Sequence, residues 1–137
     1  MLTLSTLVAG QLKYLEKRNK RRGLVKVKDL LKEENFRIIA GEEGIEKELQ
    51  GVYIGDLLSW VMAHLQENEA WITIQSHVNV IAVGVLNDAA CILLAEGASL
   101  DEDAKKKANE ENLAVIETNL TAYELAVKVN KLMKENE

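Results

Sequence analysis

Apolar residues recur at three- and four-residue intervals at Leu4, Leu7, Val8, Leu12 and Leu15, which predicts an amphipathic helix over residues 3–16. Ser5 or Thr3 would cap it, and the basic run from Lys17 to Arg22 followed by Gly23 is an ordinary helix stop. Val27, Leu30 and Leu31 predict a short helix over 26–35, and the run from Phe36 to Ala40 predicts a strand. The two glycines of Gly41-Glu42-Glu43-Gly44 make a turn. A second strand is predicted over 51–55. A helix over 56–66 follows, capped by Asp56 and carrying the stripe Leu57, Leu58, Val61, Met62, Leu65.

The next stretch, 70–75, is rich in strand-forming residues. Residues 77–87 contain several β-branched residues, which lower helix propensity, but a second strand directly after the first would lack a turn. A helix capped by Ser76 is therefore expected there. Residues 90–95 form an unbroken apolar run, the pattern of a strand covered on both faces. Ser99 with Glu102, and Thr121 with Glu124, read as capping boxes opening helices over 100–111 and 122–134. A short strand over 113–117 lies between them. Strands thus alternate with helices from residue 51 onward. This predicts a three-layer α/β/α fold with a mostly parallel sheet of about five strands.

Composition limits the class. The 137 residues are 47% hydrophobic and 28% charged, with a single cysteine, and no apolar run approaches the roughly 20 residues needed to span a bilayer. No signal peptide is apparent, so a reduced, cytoplasmic protein is expected. Proline is absent, where about seven would be usual at this length, so turns must rely on Gly, Asn, Asp and Ser.

Charge divides the chain. Residues 1–23 hold six basic residues and one acidic one, whereas the rest hold 11 basic and 21 acidic, so a +5 arm precedes a −10 body. Such a body repels phosphates and argues against nucleic acid as a partner. The chain is expected to divide into a basic amino-terminal helical arm over 1–23 and an α/β domain over 24–137. The arm reads as a packing or partner-contacting helix; alternatively it binds a polyanion or a membrane surface, or continues an extension.

Chemistry is sparse. No P-loop or dinucleotide-binding string occurs, and Gly51-Val52-Tyr53-Ile54-Gly55 reads as a strand ending in a sharp turn. Ser76 and His77 are adjacent, and neighbours in sequence rarely face one another, so they are no dyad signature. His64, four residues after Trp60, reads as a packed surface contact. Cys91, in the most apolar strand, reads as a core thiol of raised pKa. No cofactor or metal is expected.

In parallel α/β sheets ligands bind at the carboxyl ends of the strands. That rule nominates Gly55, Asp56, Gln75, Ser76, His77, Asn79, Glu96, Thr118 and Asn119 as ligand-binding candidates, with Gly97 and Glu117 beside them.

The segment from Gly41-Glu42-Glu43-Gly44 to Gly51-Val52-Tyr53-Ile54-Gly55-Asp56-Leu57-Leu58-Ser59-Trp60-Val61-Met62 resembles a DRTGG domain. So do Ala70-Trp71-Ile72-Thr73-Ile74-Gln75 and Ala90-Cys91-Ile92-Leu93-Leu94-Ala95-Glu96-Gly97, and the resemblance covers about residues 24–134. The five-letter string that names the family is absent, so no site residue is carried over. The resemblance extends to the amino-terminal domain of HPr kinase/phosphorylase and, more distantly, of Mur ligases, and it implies an α/β/α fold.

It also implies a regulatory or oligomerising role, since such domains accompany CBS or phosphotransacetylase domains, and some free-standing members resemble proteins encoded beside iron hydrogenases. The catalytic P-loop of HPr kinase lies in a separate carboxyl-terminal domain, so kinase activity is not expected. The leading expectation is a non-catalytic regulatory or interaction module. It would be a homodimer with Trp60, the tyrosines and the amino-terminal helix in its contact. A protein partner in a hydrogenase-related or metabolic regulatory system is implied. The alternative is a small-molecule or nucleotide sensor at the strand ends. A third reading is a cryptic enzyme centred on Ser76, His77 and Asp56.

Overall fold

A computed structural model describes residues 8–10 and 25–135. Residues 8–10 are helical, and the rest of the expected helix over 3–16 lies outside the described residues.

Among the described residues there are five strands: β1 (Arg37–Ala40), β2 (Gly51–Ile54), β3 (Glu69–Thr73), β4 (Cys91–Leu94) and β5 (Val115–Glu117). Counted from residue 25, five helices join them: α1 (Val27–Leu30), α2 (Leu58–His64), α3 (Val78–Leu86), α4 (Glu102–Glu111) and α5 (Ala122–Glu135). The sheet order is β1-β5-β4-β3-β2. β2, β3, β4 and β5 run parallel and β1 is antiparallel to β5. β4, the unbroken apolar run, is the central strand and is buried throughout, as its composition requires.

Helices cover both faces. α2, α3 and α4 supply Val61, Ile81 and Ala104 to a core with Trp71, Ile92 and Val115. α1 and α5 supply Leu30, Leu125 and Val129 to the opposite core with Ile72, Leu93 and Ile116. The alternation of apolar residues along each strand therefore feeds two separate cores.

Several boundaries differ from expectation. The helix expected over 26–35 stops at Leu30, and Leu31, Lys32 and Glu33 instead donate to carbonyls three residues back, which turns the chain toward β1. Asp56 does not cap α2. Leu57 occupies that position without a side-chain bond, because the Asp56 carboxylate is engaged by β3. Ser76 does not cap α3: His77 does, its Nδ1 accepting the Asn79 amide at 3.3 Å.

Of the two expected capping boxes only the second forms. Asp101 replaces Ser99, its Oδ1 accepting the Ala104 amide at 2.8 Å. At α5 the Thr121 hydroxyl accepts the Glu124 amide, and Glu124 accepts the Thr121 amide. The turn at 41–44 is a single 3₁₀ turn entered through Gly41 at φ +70°. A Cβ at Gly41 would lie 1.9 Å from the Leu113 carbonyl oxygen, so both conformation and space require glycine there.

Candidate functional site

The carboxyl ends of the parallel strands share one edge of the sheet, with Thr73, Leu94 and Glu117 in register. The nominated residues lie along that edge, but the structure sorts them into two groups and a remainder.

The first group is a polar clamp at the ends of β2 and β3. The buried Thr73 hydroxyl donates to Asp56 Oδ1 at 2.8 Å, and the Ile74 amide donates to the same oxygen at 3.0 Å. Gln75 donates from its amide to the Thr73 hydroxyl and from its side chain to the Asp56 carbonyl. The Gly55 carbonyl accepts the Trp71 indole N–H at 2.9 Å. These bonds take the Ile74 and Gln75 amides away from further strand pairing, which ends β3 two residues before the expected limit. Asp56 and Gln75 are thereby committed to each other and to Thr73, a residue the sequence did not nominate, while Gly55 is tied to Trp71 and Ile72 of β3.

The remainder is Ser76, His77 and Asn79. Among the described residues, Ser76 and His77 form no hydrogen bond with each other, and His77 is used as a helix cap. The structure therefore does not bring Ser76 and His77 together as a nucleophile–base pair.

The second group surrounds a cleft at the ends of β4 and β5. After β4 the chain turns to α4 on one face of the sheet, and after β5 to α5 on the other. Adjacent parallel strands whose continuations diverge in this way leave a crevice between them, the usual ligand position in open α/β sheets. The cleft measures about 550 Å³, and Gly97, Thr118 and Asn119 line it. Glu96 and Gly97 both adopt positive φ, 56° and 77°, and their amides donate to the Leu120 and Thr118 carbonyls. A Cβ on Gly97 would lie 3.3 Å from Asn119 Oδ1, so glycine leaves room for that side chain at the cleft.

The far wall of the cleft was not legible in the sequence. The antiparallel direction of β1 brings Glu34, Asn35 and Arg37 to the carboxyl end of β5. Arg37 pairs with Glu117, and Glu124 from the start of α5 completes the lining. Three carboxylates against one guanidinium give the cleft a negative excess. Only the pairing of a first strand with a last one assembles it, and no local pattern encodes that.

Two other residues match their sequence reading. Burial pushes the Cys91 thiol up to about 12, against the opposing charge of Lys47, so it is an inert core group. His64 stacks on Trp60 with ring centroids 4.2 Å apart at the surface of α2, and its Nδ1 lies 2.8 Å from the Trp60 carbonyl.

Comparison with known proteins decides the family. A family model of the DRTGG domain matches residues 29–132. The chain is a member of the DRTGG domain family. No curated protein matches it.

Among solved structures, this DRTGG domain is similar to the CBS and DRTGG domains of the regulatory region of Clostridium perfringens pyrophosphatase. That structure is a complex with the activator diadenosine tetraphosphate. The two are 13% identical with a TM-score of 0.52, and the match covers 74% of this chain and 42% of that one. At such identity the likeness speaks for the fold: an α/β domain whose five-stranded, mostly parallel sheet is flanked by helices. Among the described residues no helix is long and apolar enough to cross a membrane.

Proposed function

We propose that this DRTGG domain is a non-catalytic regulatory module that acts by contact with another protein surface, in the first instance a second copy of itself. One observation carries the reading. At the outer edge of the sheet, where β2 pairs with no further strand among the described residues, Ile54, Leu57 and Trp60 are 50%, 67% and 59% exposed. Leu57 and Trp60 stand one helical turn apart at the start of α2, and Trp60 is the residue on which His64 stacks.

An open strand edge beside exposed apolar and aromatic side chains is costly in isolation and favours association. Membership of a family found in the regulatory region of another protein supports the same reading. The likeness to the amino-terminal domain of HPr kinase/phosphorylase enters it as context and brings no activity. Light scattering across a dilution series tests it. A dimer is expected, converted to monomer by Leu57→Asp together with Trp60→Ala. A monomeric mass at high concentration, or a dimer indifferent to both changes, would overturn it.

A second reading, a small-molecule sensor, is favoured by the cleft between β4 and β5. The activator carried by the similar pyrophosphatase region supports regulation by a ligand. The negative excess of the cleft disfavours a polyphosphate there. Native mass spectrometry of freshly purified protein checks it: a reproducible small adduct is expected, and a clean protein mass counts against it.

A further inference from the structure

We propose that the cleft between the ends of β4 and β5 binds a small zwitterion, an α-amino acid or a compound that likewise carries a carboxylate close to an ammonium group. The proposal rests on the sensor reading and names its ligand chemistry. The molecule contains its own template for the carboxylate half. At the end of β3, Thr73 accepts the amide two residues on, and its hydroxyl and the Ile74 amide together hold one carboxylate oxygen of Asp56.

At the end of β5 the arrangement recurs. Thr118 is 4% exposed, and its hydroxyl accepts the amide two residues on, that of Leu120, at 3.2 Å. In both places the threonine is followed within five residues by a helix, α3 or α5. The difference is in the acceptor. Among the described residues nothing accepts the Thr118 hydroxyl proton or the Asn119 amide, and both residues line the cleft. A buried hydroxyl with an unspent proton calls for an acceptor.

The nearby carboxylates do not provide one. Glu117 pairs with Arg37, and Glu124 accepts the Thr121 amide. A ligand carboxylate would take the place at Thr118 and Asn119 that Asp56 takes at Thr73 and Ile74, near the positive end of α5. A bare carboxylate or a phosphate would meet the negative excess of the cleft. An ammonium group on the same ligand converts that excess into attraction toward Glu34 and Glu124.

The test is an amide-resolved NMR titration of the full chain with free α-amino acids, acetate and ATP as separate probes. Amino acids are expected to move the Asn119 and Leu120 amide resonances, and acetate at equal concentration is expected to leave them in place. Thr118→Val should weaken the amino-acid response roughly tenfold or more, the loss of one charge-assisted hydrogen bond. Glu34→Gln, at an exposed position that the fold tolerates, should weaken it without disturbing the rest of the spectrum. An equal response to acetate would overturn the zwitterion, as would a response unchanged in both variants. A response to ATP alone would overturn it too while leaving the sensor reading intact. Cleft amides that answer none of the three probes would overturn the zwitterion and leave the sensor reading to the native mass.

Discussion

The Asp56 carboxylate holds the end of β2 to the end of β3 through the Thr73 hydroxyl and the Ile74 amide. Asp56 stands where an N-cap belongs, directly before an apolar helical stripe, and the sequence offers no means of telling a cap from a clamp. What decides is the Thr73 hydroxyl, buried on the neighbouring strand, whose proton must find an acceptor. Asp56→Ala leaves that hydroxyl and the Ile74 amide without their acceptor and should cost about 1–3 kcal/mol of stability. Urea unfolding at neutral pH measures it, and a loss within a few tenths would show that the clamp is replaced by water.

Cys91 gives a second prediction at this scale. Its folded pKa is raised to about 12 by burial, above an ordinary thiol value of 9.0. The unfolded chain therefore loses the thiol proton first. The contribution is complete below about pH 9 and is lost as pH rises through 9 toward 12, at about 1.4 kcal/mol per pH unit in that window. Wild type should weaken with pH more steeply there than Cys91→Ala, and identical slopes would refute the assignment. The native thiol should also resist a thiol reagent until the protein unfolds.

Among the elements, the tight turn at 41–44 carries the sharpest demand. Gly41→Ala places a methyl group 1.9 Å from the Leu113 carbonyl oxygen and asks alanine for φ +70°. A loss of about 3 kcal/mol or more is expected, read as a large fall in melting temperature with the same folded spectrum at low temperature. The sequence announced the turn through its two glycines but not the reason, because Leu113 lies some seventy residues away. The same distinction runs through the fold. Strands β1 to β5 and helices α2 to α5 were legible: most are a periodic stripe or an apolar run of their own, and the polar α4 was marked by the capping residues before it.

The caps at Ser76 and Ser99 were displaced by one and two residues to His77 and Asp101, because more than one side chain near each helix start can accept an amide and only the final geometry selects among them. The candidate edge followed from a rule about parallel sheets, which nominated Thr118 and Asn119 of the cleft lining. Arg37, Glu34 and Glu124 needed the strand order.

For the whole molecule the proposed dimer makes stability a function of concentration. If only the folded chain associates, the melting temperature should rise with protein concentration, and this dependence should vanish in the double variant at Leu57 and Trp60. A melting temperature constant over a hundredfold dilution would contradict association in that range.

The antiparallel partnership of β1 with β5 has a consequence for biosynthesis. Arg37 pairs with Glu117, so the first strand made must wait for the last. While the ribosome delivers the intervening eighty residues, β2, β3 and β4 can pair in order as they emerge, each with its predecessor. Val25, Val27 and Leu30, all fully or almost fully buried in the finished domain, can dock early on the segment 45–49, where the Leu49 amide donates to the Val25 carbonyl and the Val27 amide to the Lys47 carbonyl, but their core is completed only by Ile116, Leu125 and Val129 of β5 and α5. One side of β1 and of this apolar segment thus stays uncovered until the end of translation, and high contact order is built into the final closing step. A stop shortly before Val115 would release a chain whose first strand lacks its partner and whose core lacks the α5 side, a natural client for a holding chaperone.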